Sequence, residues 1–156
     1  MTGSAAAGDD PAPLEHVRVD IELEIPSDVR YITGVVELVT RQCTVLRFPP
    51  HVCSLNVPVA LTEALSNAIL RGNHEERGAQ VRVRAHVEPA RLVLEVVDQG
   101  AGFDLDACTI DPTTPENIGR EDGRGLYLMR KLMDRVERFE ADGNVVRLIL
   151  HLPLAP

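Results

Sequence analysis

The sequence has 156 residues, and its 16 Lys and Arg against 24 Asp and Glu give a formal net charge of −8. This length predicts one domain whose core needs no disulfides or structural metal. The acidic balance argues against a nucleic-acid backbone as partner, because phosphates are bound by clustered Lys and Arg. The lack of Trp, with only 2 Tyr and 3 Phe, also argues against a protein that stacks on single-stranded bases.

The cysteines and the N-terminus bear on location. The sequence has three cysteines, Cys43, Cys53 and Cys108, and none of them form a Cys-x-x-Cys pair. A disulfide framework is therefore not expected, and a reducing cytoplasm is favoured. Residues 1–14 are small, polar and proline-containing, without the regions of a signal peptide, which predicts a disordered leader before a domain at 15–156. No apolar run is expected to span a bilayer.

The first part of the domain predicts a strand and a helix. Apolar and charged residues alternate over 17–25, which is typical of a strand with one solvated face. Pro26 ends this strand, and Ser27 offers a helix cap with Asp28 in the favourable first turn. Apolar residues near helical spacing then predict a helix over 28–46.

A second helix is predicted to begin at a cap on Asn56, with Pro58 near its first position, and to run to Arg71. Gly72-Asn73 is expected to form a left-handed C-terminal cap. The core face of this helix is rich in Ala and Leu.

The rest of the chain predicts two hairpins separated by a loop and a helix. Residues 103–122 show weak periodicity, and a loop of this length in a compact domain is usually functional or mobile. Helical spacing returns after Gly123. The predicted strands are 80–88 and 91–97, which turn at Pro89-Ala90, and 136–141 and 145–152, which turn at Asp142-Gly143.

This element order, β-α-α-β-β-loop-α-β-β, predicts an α+β two-layer sandwich. The helices gather on one face of a mixed, mainly antiparallel sheet. A doubly wound sheet is excluded because βαβ alternation is absent. The sequence also contains no GxxxxGK[ST] motif, which excludes the ordinary P-loop.

A carboxylate and an amide stand one helical turn apart in the second helix. Glu63 and Asn67 lie four residues apart and therefore on one helix face. The Asn67 amide oxygen suits Mg²⁺, a hard cation that prefers oxygen ligands, and Glu63 could accept the proton of an attacking hydroxyl. Taken singly, each is more commonly a solvated surface residue.

Two glycine motifs follow. Asp98 ends an apolar strand and accepts hydrogen bonds only, so it could take the exocyclic amine of adenine, while Gly100 and Gly102 would let the backbone approach the base. A simple turn is the alternative reading. Gly123 and Gly125 precede the third helix, where free amides suit phosphate oxygens. Arg124 between them could pair with a phosphate or cover the loop from outside.

These segments carry a family resemblance. Residues 63–73, 98–104 and 123–134 resemble the N, G1 and G2 boxes of the Bergerat-fold (GHKL) ATPases. Within that superfamily the chain resembles the bacterial anti-sigma factor serine kinases in length, in the long loop and especially in the third segment. The resemblance spans about residues 17–152.

The resemblance implies a role for each motif residue. Asn67 would hold Mg²⁺, Glu63 would be the base for a substrate serine, and Asp98 would read adenine in a pocket shaped by Gly100 and Gly102. Gly123, Arg124 and Gly125 would contact the phosphates, with 103–122 as the ATP lid. Family members often carry His where this chain has Arg71, which cannot shuttle a proton near neutral pH; a helix-capping role for Arg71 is favoured.

The implied function is a cytoplasmic ATP-dependent protein-serine kinase that acts as an anti-sigma factor. Its partners would be a sigma factor and a STAS-type anti-sigma factor antagonist, with a homodimer through the first strand and no nucleic acid or membrane. The alternatives are an ATP-gated regulatory binding module without kinase activity and a switch-type kinase that activates a partner phosphatase. A sensor histidine kinase is disfavoured, because the chain has no room for a phosphoacceptor-helix domain.

Overall fold

The computed structural model describes residues 13–74, 76, 78–100 and 124–153. Its five strands form one sheet in the order β1-β2-β3-β5-β4, and every pairing among these strands is antiparallel. The predicted α+β fold class is confirmed. The elements are β1 Val19–Pro26, α1 Ile32–Val45, α2 Val57–Asn67, β2 Gln80–Glu88, β3 Arg91–Asp98, α3 Arg124–Leu132, β4 Arg135–Glu140 and β5 Asn144–His151.

The core lies between one sheet face and the three helices. Alternation along the strands sends every second side chain inward, and these side chains meet across the ladders, as Val83 does with Val96 and Leu94 with Leu148. α2 packs between α1 and α3 and supplies the fully buried Leu61. The other sheet face carries charged side chains, which pair across the strands as Glu24 with Arg82 and Glu95 with Arg147 do.

A three-residue cluster on this charged face ties the edge strand β1 to β2. His86 lies opposite Asp20 in the ladder, its Nδ1 contacts Asp20 Oδ1, and its Nε2 lies 2.5 Å from Glu88 Oε1. A ring whose two nitrogens both face carboxylates is satisfied only as the doubly protonated cation. The hydrogen bond to Asp20, followed by that to Glu88, raises the pKa of His86 above its ordinary value.

This cluster makes the stability of the domain depend on pH. Because the folded pKa of His86 is raised, its stabilisation is fully present below about pH 6.5, the unfolded value, and is lost as pH rises through the folded value. We expect urea midpoints to fall between about pH 6 and about pH 9 more for the wild type than for His86→Gln. Equal losses in the two proteins would show that His86 does not carry the effect.

The start of the first helix differs from the prediction. Asp28 Oδ1 accepts the backbone N–H of Arg30 at 2.9 Å, which begins a short 3₁₀ turn, and α1 starts only at Ile32. The Ser27 hydroxyl is buried and has no partner within the described part of the chain. The predicted cap at Ser27 is therefore wrong, because the longer carboxylate of Asp28 takes that role.

The second helix is longer than predicted at its start. Single π-helical turns, Val52–Asn56 and Ala68–Gly72, extend α2 at both ends. Asn56 lies inside this stretch with helical φ −58° and ψ −54°, and its Nδ2 donates to the Leu132 carbonyl at 2.8 Å. The predicted N-cap at Asn56 is wrong, because its amide joins the end of α3 instead of capping its own helix.

The expectation about membrane spans also needs correction. Val52–Gly72 forms one helical stretch of 21 residues that is long and apolar enough to cross a membrane by length and composition alone. The same stretch supplies some of the largest fully buried side chains of the domain, Leu61, Leu65 and Ile69. Its apolar character is therefore accounted for by its central place in the helical layer.

Candidate functional site

The first turn of α3 lies directly against the middle of α2. A Cβ atom added to Gly125 would stand 2.7 Å from Glu63 Oε2 and 3.4 Å from Asn67 Nδ2. A side chain at this position would crowd the end of the Glu63 side chain, so the backbone of α3 approaches both side chains closely. The fold thus brings together residues about 60 positions apart in sequence, and we call Glu63, Asn67, Arg124 and Gly125 the helix cluster.

Glu63 is half-buried in this cluster. Desolvation by burial raises the pKa of its carboxyl above the ordinary value, because the charged form loses water contacts. A carboxylate with a raised pKa is a stronger proton acceptor and titrates closer to neutral pH. Such a shift suits a general base, although burial alone would produce it in any half-buried glutamate.

Arg124 is the first described residue of α3. Its Nε is buried and has no hydrogen-bond partner within the described part of the chain. A buried guanidinium nitrogen without an acceptor is costly, and an anionic oxygen would satisfy it. The free Nε therefore favours an anion at this end of α3 over a purely outward role for Arg124.

The π turn at the end of α2 decides which residue follows Asn67 on the same face. The Asn73 N–H donates to the Ala68 carbonyl at 2.9 Å, an i to i+5 bond that widens the turn by one residue. Gly72 consequently faces Asp98, since a Cβ on Gly72 would lie 2.4 Å from Asp98 Oδ2. In a regular α-helix Arg71 would lie one turn after Asn67 instead.

Asp98 ends β3 and is buried, with 4% of its surface exposed. Its Oδ1 accepts the N–H of Gly100 at 3.0 Å, which bends the chain sharply as it leaves the strand. A Cβ on Gly100 would stand 1.7 Å from the Gly72 carbonyl oxygen. The ends of α2 and β3 are therefore in backbone contact, which presses the Asp98 side chain against the helix end.

Two buried asparagines that sequence reasoning missed hold this junction. Asn73 Oδ1 accepts the Gln99 N–H at 2.9 Å, and its Nδ2 donates to the Gln80 carbonyl at 3.1 Å. Asn144 Nδ2 donates to Asp98 Oδ1 at 3.0 Å and to the Gly100 carbonyl at 2.7 Å. Together with Gly72, Asp98 and Gly100 they form what we call the strand-end cluster.

Asn73 also corrects the predicted helix end. Its φ of −88° is right-handed, so Gly72-Asn73 is not a left-handed cap, and the positive φ falls on His74 instead. The amide of Asn73 is drawn inward by two backbone groups, which explains why the residue is 3% exposed. Arg71 is half-buried, and the sequence-based choice of a capping role for it stays a prediction.

The structure places six of the eight predicted site residues in two neighbouring clusters along α2. Gly102 and Gly123 lie outside the described residues, as does the predicted lid, 103–122. Asn67 and Gly72 lie five residues apart along the helix, which is about 7.5 Å at about 1.5 Å per residue. The helix cluster contains a half-buried carboxylate, an amide and a buried guanidinium nitrogen without a partner among the described residues, and the strand-end cluster contains a buried hydrogen-bond acceptor.

Comparison with known proteins identifies this arrangement. Residues 25–150 match the family model described as a histidine kinase-like ATPase domain. The chain is 33% identical over 137 residues to the serine-protein kinase RsbW of Bacillus velezensis, with 85% of each chain covered. It is 30% identical to RsbW of Bacillus subtilis at the same coverage.

A further relative carries a different name. The anti-sigma F factor of Clostridium acetobutylicum is 30% identical over 97 residues, which cover 61% of this chain and 66% of that protein. The family match over residues 25–150 includes every residue that we assign to the two clusters. The chain belongs to the histidine kinase-like (GHKL-type) ATPase family and, within it, to the group of the RsbW serine-protein kinases.

Proposed function

We propose that this protein is an ATP-dependent protein-serine kinase that acts as an anti-sigma factor and phosphorylates a STAS-type antagonist. The observation that carries the proposal is the close approach of Gly125 to Glu63 and Asn67, together with the buried Asp98 of β3, which packs against Gly72 one π turn further along the same helix. A binding module needs a nucleotide pocket, but it has no use for a desolvated carboxylate beside the transferred phosphate. Glu63 therefore favours a kinase over the ATP-gated module without activity.

The strand-end cluster suits adenine. The Asp98 carboxylate only accepts hydrogen bonds, so it takes the exocyclic amine of adenine and rejects the carbonyl that guanine carries there. Gly72 and Gly100 leave the backbone bare around this carboxylate. Gly102 would complete the pocket, as its place in the motif implies.

The helix cluster suits the phosphates and a magnesium ion. The free Nε of Arg124 and the bare backbone at Gly125 offer contacts for phosphate oxygens, which Gly123 would extend. Asn67 would supply its side-chain oxygen to Mg²⁺, which suits a hard cation that keeps most of its waters. When bound, the metal would neutralise charge that develops on the phosphates during transfer.

In the proposed reaction, the residues of the chain contribute by holding the reacting groups and the nucleotide in place. Glu63 would accept the proton of a substrate serine hydroxyl, and its raised pKa makes it a better acceptor at neutral pH. Arg124 would hold the charge of the transferred group, and Asp98 would fix the nucleotide at its other end. The predicted lid would exclude water from the reacting groups.

The partners follow from the family rather than from a surface that we identify. Relatives are named serine-protein kinase and anti-sigma F factor, which supports a sigma factor and an antagonist as partners in the cytoplasm. A homodimer stays a prediction, and β1, the expected surface, is an edge strand whose ladder groups face outward on one side. The leader at 1–14 and the domain at 15–156 also stay predictions.

The test uses γ-labelled ATP, Mg²⁺ and the STAS-type proteins of the same organism. We expect label on a serine of one of them, identified by mass spectrometry, and capture of a sigma factor by the kinase when that antagonist is phosphorylated. Asp98→Asn, which turns a pure acceptor into a partial donor, should abolish labelling. ATP binding without transfer would favour the regulatory module, and no ATP binding would overturn the proposed function altogether.

A further inference from the structure

The buried amide of Asn144 stands behind the carboxylate that we assign to adenine. Asn144 begins β5, lies opposite Asp98 in the ladder and is 8% exposed. Its place depends on the preceding turn, where Asp142 and Gly143 have φ values of 51° and 119°. A Cβ on Gly143 would stand 2.7 Å from the Asp98 carbonyl oxygen, so the glycine lets this turn rest against the end of β3.

Both hydrogens of the Asn144 amide are used. Nδ2 donates to Asp98 Oδ1 at 3.0 Å and to the Gly100 carbonyl at 2.7 Å. Because both neighbours are acceptors, the nitrogen of the amide must face them. No carboxylate could occupy this position without repulsion, and a hydroxyl has only one proton for two acceptors.

These bonds determine which oxygen of Asp98 is presented to a ligand. Within the described part of the chain, the hydrogen bonds from Asn144 and from the Gly100 N–H both end on Oδ1. A Cβ on Gly72 would stand 2.4 Å from Oδ2 and 2.8 Å from Oδ1, so both oxygens lie close to this glycine, but Oδ2 receives neither of the two hydrogen bonds. The Asp98 carboxylate is thereby fixed in rotation, and Oδ2 keeps its acceptor capacity for a ligand.

We infer that Asn144 is a positioning residue that sets the preference for adenine over guanine by fixing the Asp98 carboxylate and the Gly100 carbonyl. This inference rests on the proposed function, because it concerns how Asp98 meets the base of ATP. A carboxylate free to turn, or one that gains a proton, would no longer reject the guanine carbonyl. Asn144 itself touches no reacting atom.

The experiment measures the affinities of wild type and variants for ATP and GTP by calorimetry with Mg²⁺. Loss of a hydrogen bond to a charged group predicts that Asn144→Ala binds ATP at least about tenfold more weakly. GTP binding should change much less, so the ATP-to-GTP preference should fall about tenfold as well. Asn144→Asp, which keeps the shape but adds a carboxylate beside Asp98, should lose the most ATP affinity.

Two further variants separate this role from simple stabilisation. Asn56→Ala removes an amide that also donates to a distant carbonyl, at 2.8 Å from Leu132, and should leave the preference unchanged. Asn144→Ser keeps one hydrogen-bond donor and should show an ATP-to-GTP preference between those of the wild type and Asn144→Ala. If Asn144→Ala does not fold, Asn144→Ser provides the test in its place. A merely structural role would weaken both nucleotides by the same factor and leave their ratio as in the wild type.

The outcomes distinguish this inference from the proposed function. If the wild type prefers ATP and the folded Asn144 variants show the same preference, the role of Asn144 is overturned while the proposed function stands. A wild type that binds neither nucleotide would overturn the proposed function and this inference with it. A preference that falls in the Asn144 variants but not in Asn56→Ala supports both.

Discussion

Glu63→Gln is expected to lower phosphoryl transfer to the antagonist by about 10²–10⁴-fold while ATP binds with nearly unchanged affinity. The amide of glutamine keeps the shape of the side chain beside Gly125 but cannot accept a proton from a serine hydroxyl. The rate is measured in single-turnover assays with labelled ATP, and the affinity by calorimetry. Transfer at the wild-type rate would show that Glu63 is not the base.

The same substitution should make the protein without nucleotide more stable. Burial raises the folded pKa of Glu63, so this group favours folding below its ordinary pKa, and that contribution falls as pH rises through the raised value. At neutral pH the charged carboxylate is therefore a cost, which the neutral amide removes. We expect a higher melting temperature for Glu63→Gln at neutral pH and a smaller difference at acidic pH.

A matched control is available on α1. Glu37 is exposed on that helix, away from both clusters, and Glu37→Gln should change neither transfer nor melting temperature. A gain of stability in Glu37→Gln equal to that in Glu63→Gln would trace the effect to the net charge of −8 instead of burial. A loss of activity together with a gain in stability is expected for Glu63→Gln and not for Glu37→Gln, because the buried charge of Glu63 serves catalysis at a cost in stability.

The sequence predicts much of this fold because its signals are local. Alternation predicts β1, and Asp142-Gly143 predicts the turn before β5, where the structure has two positive φ values. The wrong helix caps also have local causes, because several polar side chains near a helix start can take the capping position. Asp28 rather than Ser27 caps the first turn, and Asn56 turns to a carbonyl 76 residues away.

The strand-end cluster shows what the sequence does not contain. Asn73 and Asn144 act over separations of 26 and 46 residues, and neither stands in a pattern that announces its partner. Their signal, a polar residue beside a glycine at the end of an element, is common in turns. The π turn that brings Gly72 to Asp98 could not be predicted either, because a single i to i+5 hydrogen bond leaves no periodic pattern in so short a segment.

Gly100→Ala is expected to abolish ATP binding and to destabilise the domain by about 3 kcal/mol or more. The added methyl would lie 1.7 Å from the Gly72 carbonyl oxygen and 2.5 Å from its carbon, and both belong to the backbone. Relief requires the end of α2 to move from β3, which separates Gly72 from Asp98. Urea denaturation and calorimetry with ATP measure the two effects.

Substitutions at two other glycines are controls for the contact between Gly100 and the Gly72 carbonyl. Gly34 on α1 has no atom within 4 Å of an added Cβ, so Gly34→Ala should stabilise the helix by about 0.5–1 kcal/mol and leave ATP binding intact. The three atoms nearest to an added Cβ on Gly72 all belong to the side chain of Asp98, at 2.4 to 2.8 Å, so relief requires this carboxylate to give up its bonds to Asn144 and Gly100 instead of a backbone shift. Gly72→Ala should fold and lose ATP affinity. A Gly100→Ala protein with wild-type stability and affinity would mean that α2 and β3 do not touch here, and the strand-end cluster would lose its basis.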